Sequence, residues 1–485
     1  MTQQVRQLEP QILWNHFEDL NVVPRPSKKE EKVRAFMRAF GEKLQLEVIE
    51  DAIGNIIVKK PATPGMENKK TAILQAHLDM VHQKNSDVVF DFSQQGIQSW
   101  VDGDWVKAKG TTLGSDNGIG VAAIMSVLAS KEIAHGAIEA LFTIDEETGM
   151  TGAFALKSGV LTGEVLLNLD SEEDDELCVG CAGGVEVLVK HCYAEEALPA
   201  GYLSFQLVLR GLKGGHSGVD IHLNRGNANK IMNRLLTAIT AQVPLRIAAV
   251  NGGSLRNAIP RESTVNIAIP AFDKDKLLAL VAGFEKEIKI EFTNEEKLTL
   301  SVEAADKPVS VMDALSQNHL LKVVYACPNG VVAMSRDIPG LVDTSNNLAR
   351  VIVANGEISI QCLARSNNEL SKNDLMQMMQ AVFDLVGAKT EFKGNYPGWK
   401  PNLSSSILKV AEKAYTQIFA SKAKIMAIHA GLECGIIAKA YPDLDMISFG
   451  PTIKYPHSPD EKVQISSVQK FWVFLQHMLK NVPVK

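Results

Sequence analysis

From residue 9 to residue 46 apolar side chains recur three and four positions apart, the spacing of amphipathic helices, and Pro24-Arg-Pro26 interrupts the run. Beyond the break, Ser27 stands where it could cap a second helix through Glu31, Val33, Phe36, Met37 and Phe40. Residues 46–49 and 56–58 read as short strands about a turn at Gly54. Another predicted strand ends near Leu74, leaving His77 and Asp79 just beyond it. Residues 119–129 and their flanks predict a buried or amphipathic helix, followed by strands over 139–143 and 165–169. Strands mixed with helices in this way predict an α/β layer, where ligands gather beyond the carboxyl ends of the strands.

The pattern changes after about residue 190. Strand-like runs at 205–209, 265–269 and 357–364 are mixed with helix-like runs at 227–239, 274–284 and 372–386, a composition that fits an inserted α+β unit. The last part returns to a helix over 405–419, a strand over 445–449 and a loop at His457, with Pro397, Gly398 and Pro401 marking the return. The expected organisation is a discontinuous first domain, residues 1–190 and 396–485, around an inserted domain, residues 191–395.

Composition narrows the function classes. A chain of 485 residues exceeds one ordinary core, and 46% hydrophobic residues can supply two. With 50 Lys plus Arg against 56 Asp plus Glu, the formal net charge of -6 predicts no broad nucleic-acid surface. Cys178, Cys181, Cys192, Cys327, Cys362 and Cys434 show no disulfide-framework spacing, which favours a reducing compartment. The start of the chain lacks an apolar signal core and no uninterrupted apolar run is long enough to span a bilayer. A soluble cytoplasmic protein with no membrane or nucleic-acid partner is the expectation.

The chemistry lies where acids end apolar runs. Leu141-Phe-Thr-Ile-Asp-Glu-Glu-Thr-Gly149 and Val165-Leu-Leu-Asn-Leu-Asp-Ser171 hold carboxylates where the chain should enter a core, and an unpaired buried carboxylate costs several kcal/mol. Ala76-His77-Leu78-Asp79 and Pro456-His457-Ser458-Pro459-Asp460 add imidazoles. His77, Asp116, Glu147, Asp170 and His457 are the candidate ligands, and a mixed nitrogen and oxygen set suits zinc, manganese or cobalt. Asp116, in Gly110-Thr-Thr-Leu-Gly-Ser-Asp-Asn-Gly-Ile-Gly120, is the candidate bridge; taken alone the same stretch reads as a glycine-rich turn with a helix cap. Glu146 is the candidate for proton transfer, and Asp79 for orienting His77. His216, in Gly211-Leu-Lys-Gly-Gly-His-Ser-Gly218, fits a substrate or oxyanion contact, while Asn257 and Arg365 could hold a substrate carbonyl or carboxylate. Cys178-Val-Gly-Cys181 has redox-motif spacing without a helix start and is read as structural, and the acidic run 172–176 as a solvated edge. No Walker loop, EF-hand or Gly-x-Ser-x-Gly elbow is present.

Over nearly its whole length the chain resembles the bacterial aminoacyl-histidine (Xaa-His) dipeptidases of the M20 metallopeptidase family. Gln75-Ala-His77-Leu-Asp79-Met80, Thr111-Thr-Leu-Gly-Ser-Asp116-Asn-Gly118, Glu146-Glu147, Asn168-Leu-Asp170-Ser-Glu172, Gly214-Gly-His216-Ser-Gly218 and Pro456-His457-Ser-Pro-Asp460 carry the likeness. The resemblance implies an α/β zinc peptidase of two domains, with a discontinuous catalytic domain and an inserted α+β lid that dimerises. His77, Asp116 and Asp170 would serve one zinc ion and Asp116, Glu147 and His457 a second, with Mn2+ or Co2+ able to substitute. Glu146 would be the general base, Asp79 the orienting acid and His216 the lid histidine. Asn257, Arg365 and Gly431 would contact substrate. The implied reaction is hydrolysis of dipeptides with a free N-terminus, preferentially Xaa-His including β-alanyl-histidine, by a homodimer. An N-acyl amino acid amidohydrolase and a catalytically silent peptide-binding protein are the alternatives.

Overall fold

The computed structural model describes residues 2–485. The chain forms two compact units: one runs to Cys181 and resumes over Trp399–Ala427 and Leu432–Lys485, and the other comprises Ala182–Gly398 and Ile428–Gly431.

The first unit is built on an eight-stranded sheet in the spatial order Glu47–Glu50, Ile56–Lys60, Ile138–Thr143, Ala72–His77, Val165–Asn168, Asp445–Ser448, Glu176–Cys181 and Lys424–Ile428. Its centre is parallel: Ala72–His77 runs with Ile138–Thr143 and with Val165–Asn168, which in turn runs with Asp445–Ser448. Strands covered on both faces need apolar side chains at successive positions, and the first three of these are buried at every residue. The helix Ser115–Ala129, apolar on almost every side, packs against Gln11–Asn21 and the Ala72–His77 strand. Because the central strands are parallel, their carboxyl ends fall together, with His77 opposite Thr143 and Gln75 opposite Asn168.

Two local expectations change. His77 is the last residue of its strand rather than a residue beyond it. Ser27 does not cap the helix Glu31–Lys43, which starts after Glu30; its hydroxyl donates instead to the Met80 carbonyl at 3.2 Å, because Pro26 bridges alongside Met80.

The second unit holds an antiparallel sheet in the order Thr299–Ala304, Tyr202–Arg210, Ser263–Pro270, Arg246–Gly252, Val342–Ala354, Glu357–Ser366, Gly183–Cys192 and Lys389–Tyr396, with Gly330–Met334 also pairing Val342–Ala354. Its period-2 pattern is plain in Gly183–Cys192, where Val185, Val187 and Val189 enter the core. The helix Ala228–Thr240 is capped by Asn227, whose side chain accepts from the N–H groups of Asn229 and Lys230. Ile231, Met232, Leu235, Leu236 and Ile239 recur at helical spacing and are buried, each worth about 1.5–3 kcal/mol. Gly183–Cys192 pairs along its whole length with Glu357–Ser366, so this unit begins at Ala182 and not at 191. Residues 428–431 also belong to it, where the Ala182 N–H reaches the Ile428 and Ala430 carbonyls, both at 3.0 Å. Among the described residues no helix is long and apolar enough to cross a membrane.

Candidate metal centre

Each acid and imidazole of the first unit's cluster is delivered by the end of a core element. His77 closes the strand Ala72–His77, Glu146 and Glu147 follow Ile138–Thr143 after the left-handed residue Asp145, Asp170 lies two residues beyond Val165–Asn168, and His457 follows Ile453–Lys454. Asp116 sits at the start of the Ser115–Ala129 helix with non-helical backbone angles, φ -81° and ψ 108°, which turn its side chain out of the helical path.

These ends bring two groups of donors together through one shared carboxylate. His77 Nε2 lies 3.2 Å from Asp116 Oδ1 and 3.4 Å from Asp170 Oδ1. On the other side of Asp116, His457 Nε2 lies 3.2 Å from its Oδ2 and 3.0 Å from Glu147 Oε2. The trios His77, Asp116, Asp170 and Asp116, Glu147, His457 each place one ligand atom per residue within 4.8 Å of the others. The donor set fits transition-metal ions, because imidazole nitrogens and carboxylate oxygens converge in it. Glu147 Oε1 is buried without a hydrogen-bond donor, an arrangement that a cation would satisfy.

Electrostatics points the same way. Burial opposes the charge on Asp116, but hydrogen bonds from His457 and His77 outweigh it and hold its carboxyl below the usual range. Hydrogen bonds to Asp116 and then Glu147 push the half-exposed His457 up to about 11. Burial lowers the pKa of His77, yet Asp170, Asp116 and Asp79 raise it well above the ordinary value. The field therefore favours positive charge at both imidazoles. Burial, reinforced by Asp170 and Glu147, raises Glu146 well above the carboxylate range.

Asp79 supports two parts of this cluster. Its Oδ1 is 3.4 Å from His77 Nδ1 and accepts the Glu146 N–H at 3.0 Å, while Oδ2 accepts the Glu147 N–H at 3.3 Å. One carboxylate thus fixes both the ring and the turn bearing the two glutamates. Glu30, Asp79 and Asp145 form a further buried acidic group, but its carboxylates are taken by the Lys28, Glu146 and Glu147 N–H groups and by the Thr148 and Thr151 hydroxyls.

Sequence reasoning missed the polar layer behind the ligands. Gln75 Nε2 donates to Glu433 Oε2 at 2.5 Å, Thr143 donates to the same oxygen at 2.6 Å, and Asn168 donates to Gln75 Oε1. The network joins the helix Glu433–Ala440 to the three central strands, and burial pushes Glu433 up to about 7. Within the acidic run, Glu173, Asp174 and Asp175 pair with Lys454, Lys470 and Lys424, while Glu172 is exposed. Cys178 and Cys181 are buried, and burial pushes the Cys181 thiol up to about 12, far from a redox nucleophile.

His216, Asn257, Arg365 and Gly431 lie in the second unit. His216 bridges Ala258, and the Ser217 N–H reaches the Asn257 carbonyl at 2.8 Å, so the two turns are tied together. The His216 ring accepts at Nδ1 from the Val219 N–H at 3.0 Å; burial and then Arg365 lower its pKa, leaving Nε2–H as a neutral donor. Arg365 is buried and donates to the Tyr396 hydroxyl at 2.8 Å. Gly218 permits the approach of the remaining segment: a Cβ there would stand 2.1 Å from the His429 carbonyl and 3.2 Å from Arg365 Nε.

The family model described as Peptidase family M20/M25/M40 matches residues 73–481. The cytosol non-specific dipeptidase of Escherichia coli (strain K12) is 44% identical over 483 residues, spanning 99% of this chain and 100% of that protein. The crystal structure of aminoacylhistidine dipeptidase from Vibrio alginolyticus is similar at 47% identity and a TM-score of 0.93, covering 99% of this chain and 98% of that one. Aminopeptidase PepT from Bacillus cereus, at 18% identity and a TM-score of 0.58 over 98% of this chain and 99% of that one, shares the fold alone.

Proposed function

The chain belongs to peptidase family M20/M25/M40 and is a metal-dependent dipeptidase, and from that footing we propose a two-ion hydrolysis of dipeptides that favours histidine at the C-terminal position. The observation that carries the two-ion reading is the division of Asp116, one oxygen 3.2 Å from His77 and the other 3.2 Å from His457. His77, Asp116 and Asp170 would hold one ion and Asp116, Glu147 and His457 the other. Zinc is the proposed native metal, with Mn2+ or Co2+ able to substitute, because all three accept mixed imidazole and carboxylate sets. Ions held there polarise a scissile carbonyl and lower the pKa of water.

The chain's own residues do the rest. Glu146 takes a proton from the attacking water and returns it to the leaving amine, a task suited to a carboxylate whose environment raises its proton affinity. Asp79 keeps that side chain aimed by holding its backbone N–H. The resemblance gives His216 the role of donor to the oxyanion, Asn257 that of a substrate-carbonyl contact, and Arg365 with the Gly431 backbone that of holding the terminal carboxylate, and these roles are proposed on that ground.

The relatives' names divide between a non-specific dipeptidase and an aminoacylhistidine dipeptidase. The proposed Xaa-His preference, β-alanyl-histidine included, rests on the 47% identity to the Vibrio protein. Cytoplasmic residence and assembly as a homodimer are proposed on the same resemblance. Amine-release kinetics on metal-defined protein test the activity, comparing matched Xaa-His and Xaa-Leu dipeptides, longer His-containing peptides and N-acylated amino acids. Faster release from Xaa-His is expected. Equal rates on Xaa-Leu would remove the histidine preference, cleavage of long peptides would remove the dipeptide restriction, and preference for N-acylated amino acids would replace the reading with an amidohydrolase.

A further inference from the structure

Two buried side chains of opposite charge lie under the ligand loops without a part in the reaction scheme. Glu461, four residues beyond His457, is 2% exposed. Its Oε2 accepts the N–H groups of Leu113 at 2.8 Å and Gly114 at 3.0 Å. Its Oε1 accepts those of Ser115 at 2.7 Å and Asp116 at 3.3 Å, and the Ser115 hydroxyl at 2.6 Å. Five donors on one carboxylate fasten the loop that carries His457 to the loop that carries Asp116.

Arg25, 1% exposed, makes the corresponding link on the other side. Its Nη1 donates to the carbonyls of Leu78 at 3.1 Å and Asp79 at 3.0 Å, and its Nη2 to the Gly114 carbonyl. The guanidinium therefore joins the turn after His77 to the same Asp116 loop. Gly114 has φ +68°, and a Cβ there would stand 2.5 Å from Arg25 Nη2 and 2.8 Å from Met80 Sδ, so the loop closes over the guanidinium only with glycine at this position.

We propose that Glu461 and Arg25 are positioning residues, a clamp that holds Asp116 between His77 and His457 so that both ions meet a preformed bridge. The inference rests on the two-ion reading above. Asp116, Glu147 and Asp170 repel one another at these separations, and loops carrying like charges spread unless something fixes them. Glu461 and Arg25 bond to backbone groups on those loops and leave the ligand atoms free. Burial pulls Arg25 down to about 10, so it remains cationic at neutral pH and offsets part of the acidic charge.

The test uses the full chain, stripped of metal and titrated with Zn2+ against a competing chelator, and then reconstituted with Co2+ for its visible absorption. In Glu461→Gln the amide NH2 must face either the Leu113 and Gly114 N–H groups or those of Ser115 and Asp116, so at least two bonds are lost. Arg25→Lys keeps the charge but not the planar fork. Both variants should bind zinc about 10-fold to 100-fold more weakly, the range for residues that orient ligands, and show an altered cobalt spectrum. Ser115→Ala, which removes one of the five donors, should show a smaller loss. If Glu461→Gln does not fold, Arg25→Lys and Ser115→Ala carry the test. Folded variants that bind two ions with wild-type affinity and spectrum overturn the clamp, even with a lower melting temperature, since that result leaves the pair as part of the fold only. Wild-type protein that fails to bind two ions overturns the two-ion reading and the clamp with it, a result distinct from failure of the variants alone.

Discussion

At the scale of single residues, the proposed roles of Asp79, orienting a metal-binding ring, and of Glu146, moving a proton, can be separated by substitution. Asp79 touches the far nitrogen of His77 and the Glu146 N–H, so its loss should disturb both ring and base, whereas Glu146→Gln keeps size and the backbone bond while removing the carboxylate. Glu146→Gln is expected to keep its metal content and lose about 10²- to 10⁴-fold in kcat, read by amine release on protein of measured zinc content. Near-normal turnover with full metal would reassign the base. A second residue sets a pH dependence. His429 is buried with its Nε2 2.7 Å from Ser345 Oγ, and burial, then Arg365, pulls its pKa down from 6.5 to about 3. The unfolded chain takes up this proton near pH 6.5 while the folded chain refuses it, so the contribution to stability is complete above 6.5 and is lost as pH falls from there toward 3. Urea unfolding of metal-free His429→Gln should show a slope of stability against pH shallower by up to about one proton across that window. An unchanged slope would mean that the imidazole is not kept neutral. The candidate ligand cluster was legible in sequence because acids and histidines at the ends of apolar runs conflict with burial. Glu461, Arg25 and Glu433 were not, because their partners are backbone groups or strand side chains distant in sequence, which no local pattern encodes.

Among the elements, regular pieces with strong periodicity were readable and their terminal residues were not. The helix predicted over 227–239 is observed as Ala228–Thr240, and the strand predicted over 265–269 as Ser263–Pro270, because five helix-spaced apolar residues and an alternating strand face state their own period. The pairing of Gly183–Cys192 with Glu357–Ser366 joins residues far apart in the chain, so the start of the second unit could not be placed from local composition. A strand also positions a candidate site here. Asn347, buried on Val342–Ala354, donates from Nδ2 to the carbonyls of Arg256 at 3.0 Å and Ala258 at 2.8 Å, on either side of Asn257. Asn347→Ala leaves both carbonyls without that donor, at a cost of about 1–3 kcal/mol, and frees the turn that also anchors His216. The expected result is a reduced melting temperature and a fall in kcat/KM with zinc content unchanged. A variant with native kcat/KM would show that neither Asn257 nor His216 depends on this turn for its role.

For the whole molecule, the two units differ in what holds them together. The second has a continuous apolar core running from Val185 to Ala388, while the first carries the metal-ligand trios in addition to its own buried strands and helices. Ions that bind only the folded ligand set stabilise that unit by RT ln(1 + [L]/Kd), about 2.7 kcal/mol for each site at a free concentration 100 times Kd. Without them the carboxylates at the strand ends repel, and protons on His77 and His457 offset only part of that repulsion. Scanning calorimetry of the full chain should therefore resolve two transitions. Chelation should abolish amine release and lower the transition of the metal-bearing unit, added Zn2+ should restore it in proportion to the logarithm of free metal, and the transition of the second unit should stay in place. Equal movement of both transitions would mean that the units unfold as one cooperative body. No movement of either would mean that the five candidate ligands contribute nothing to holding their unit folded, which the meeting of His77 and His457 on Asp116, with Asp170 against His77 and Glu147 against His457, argues against.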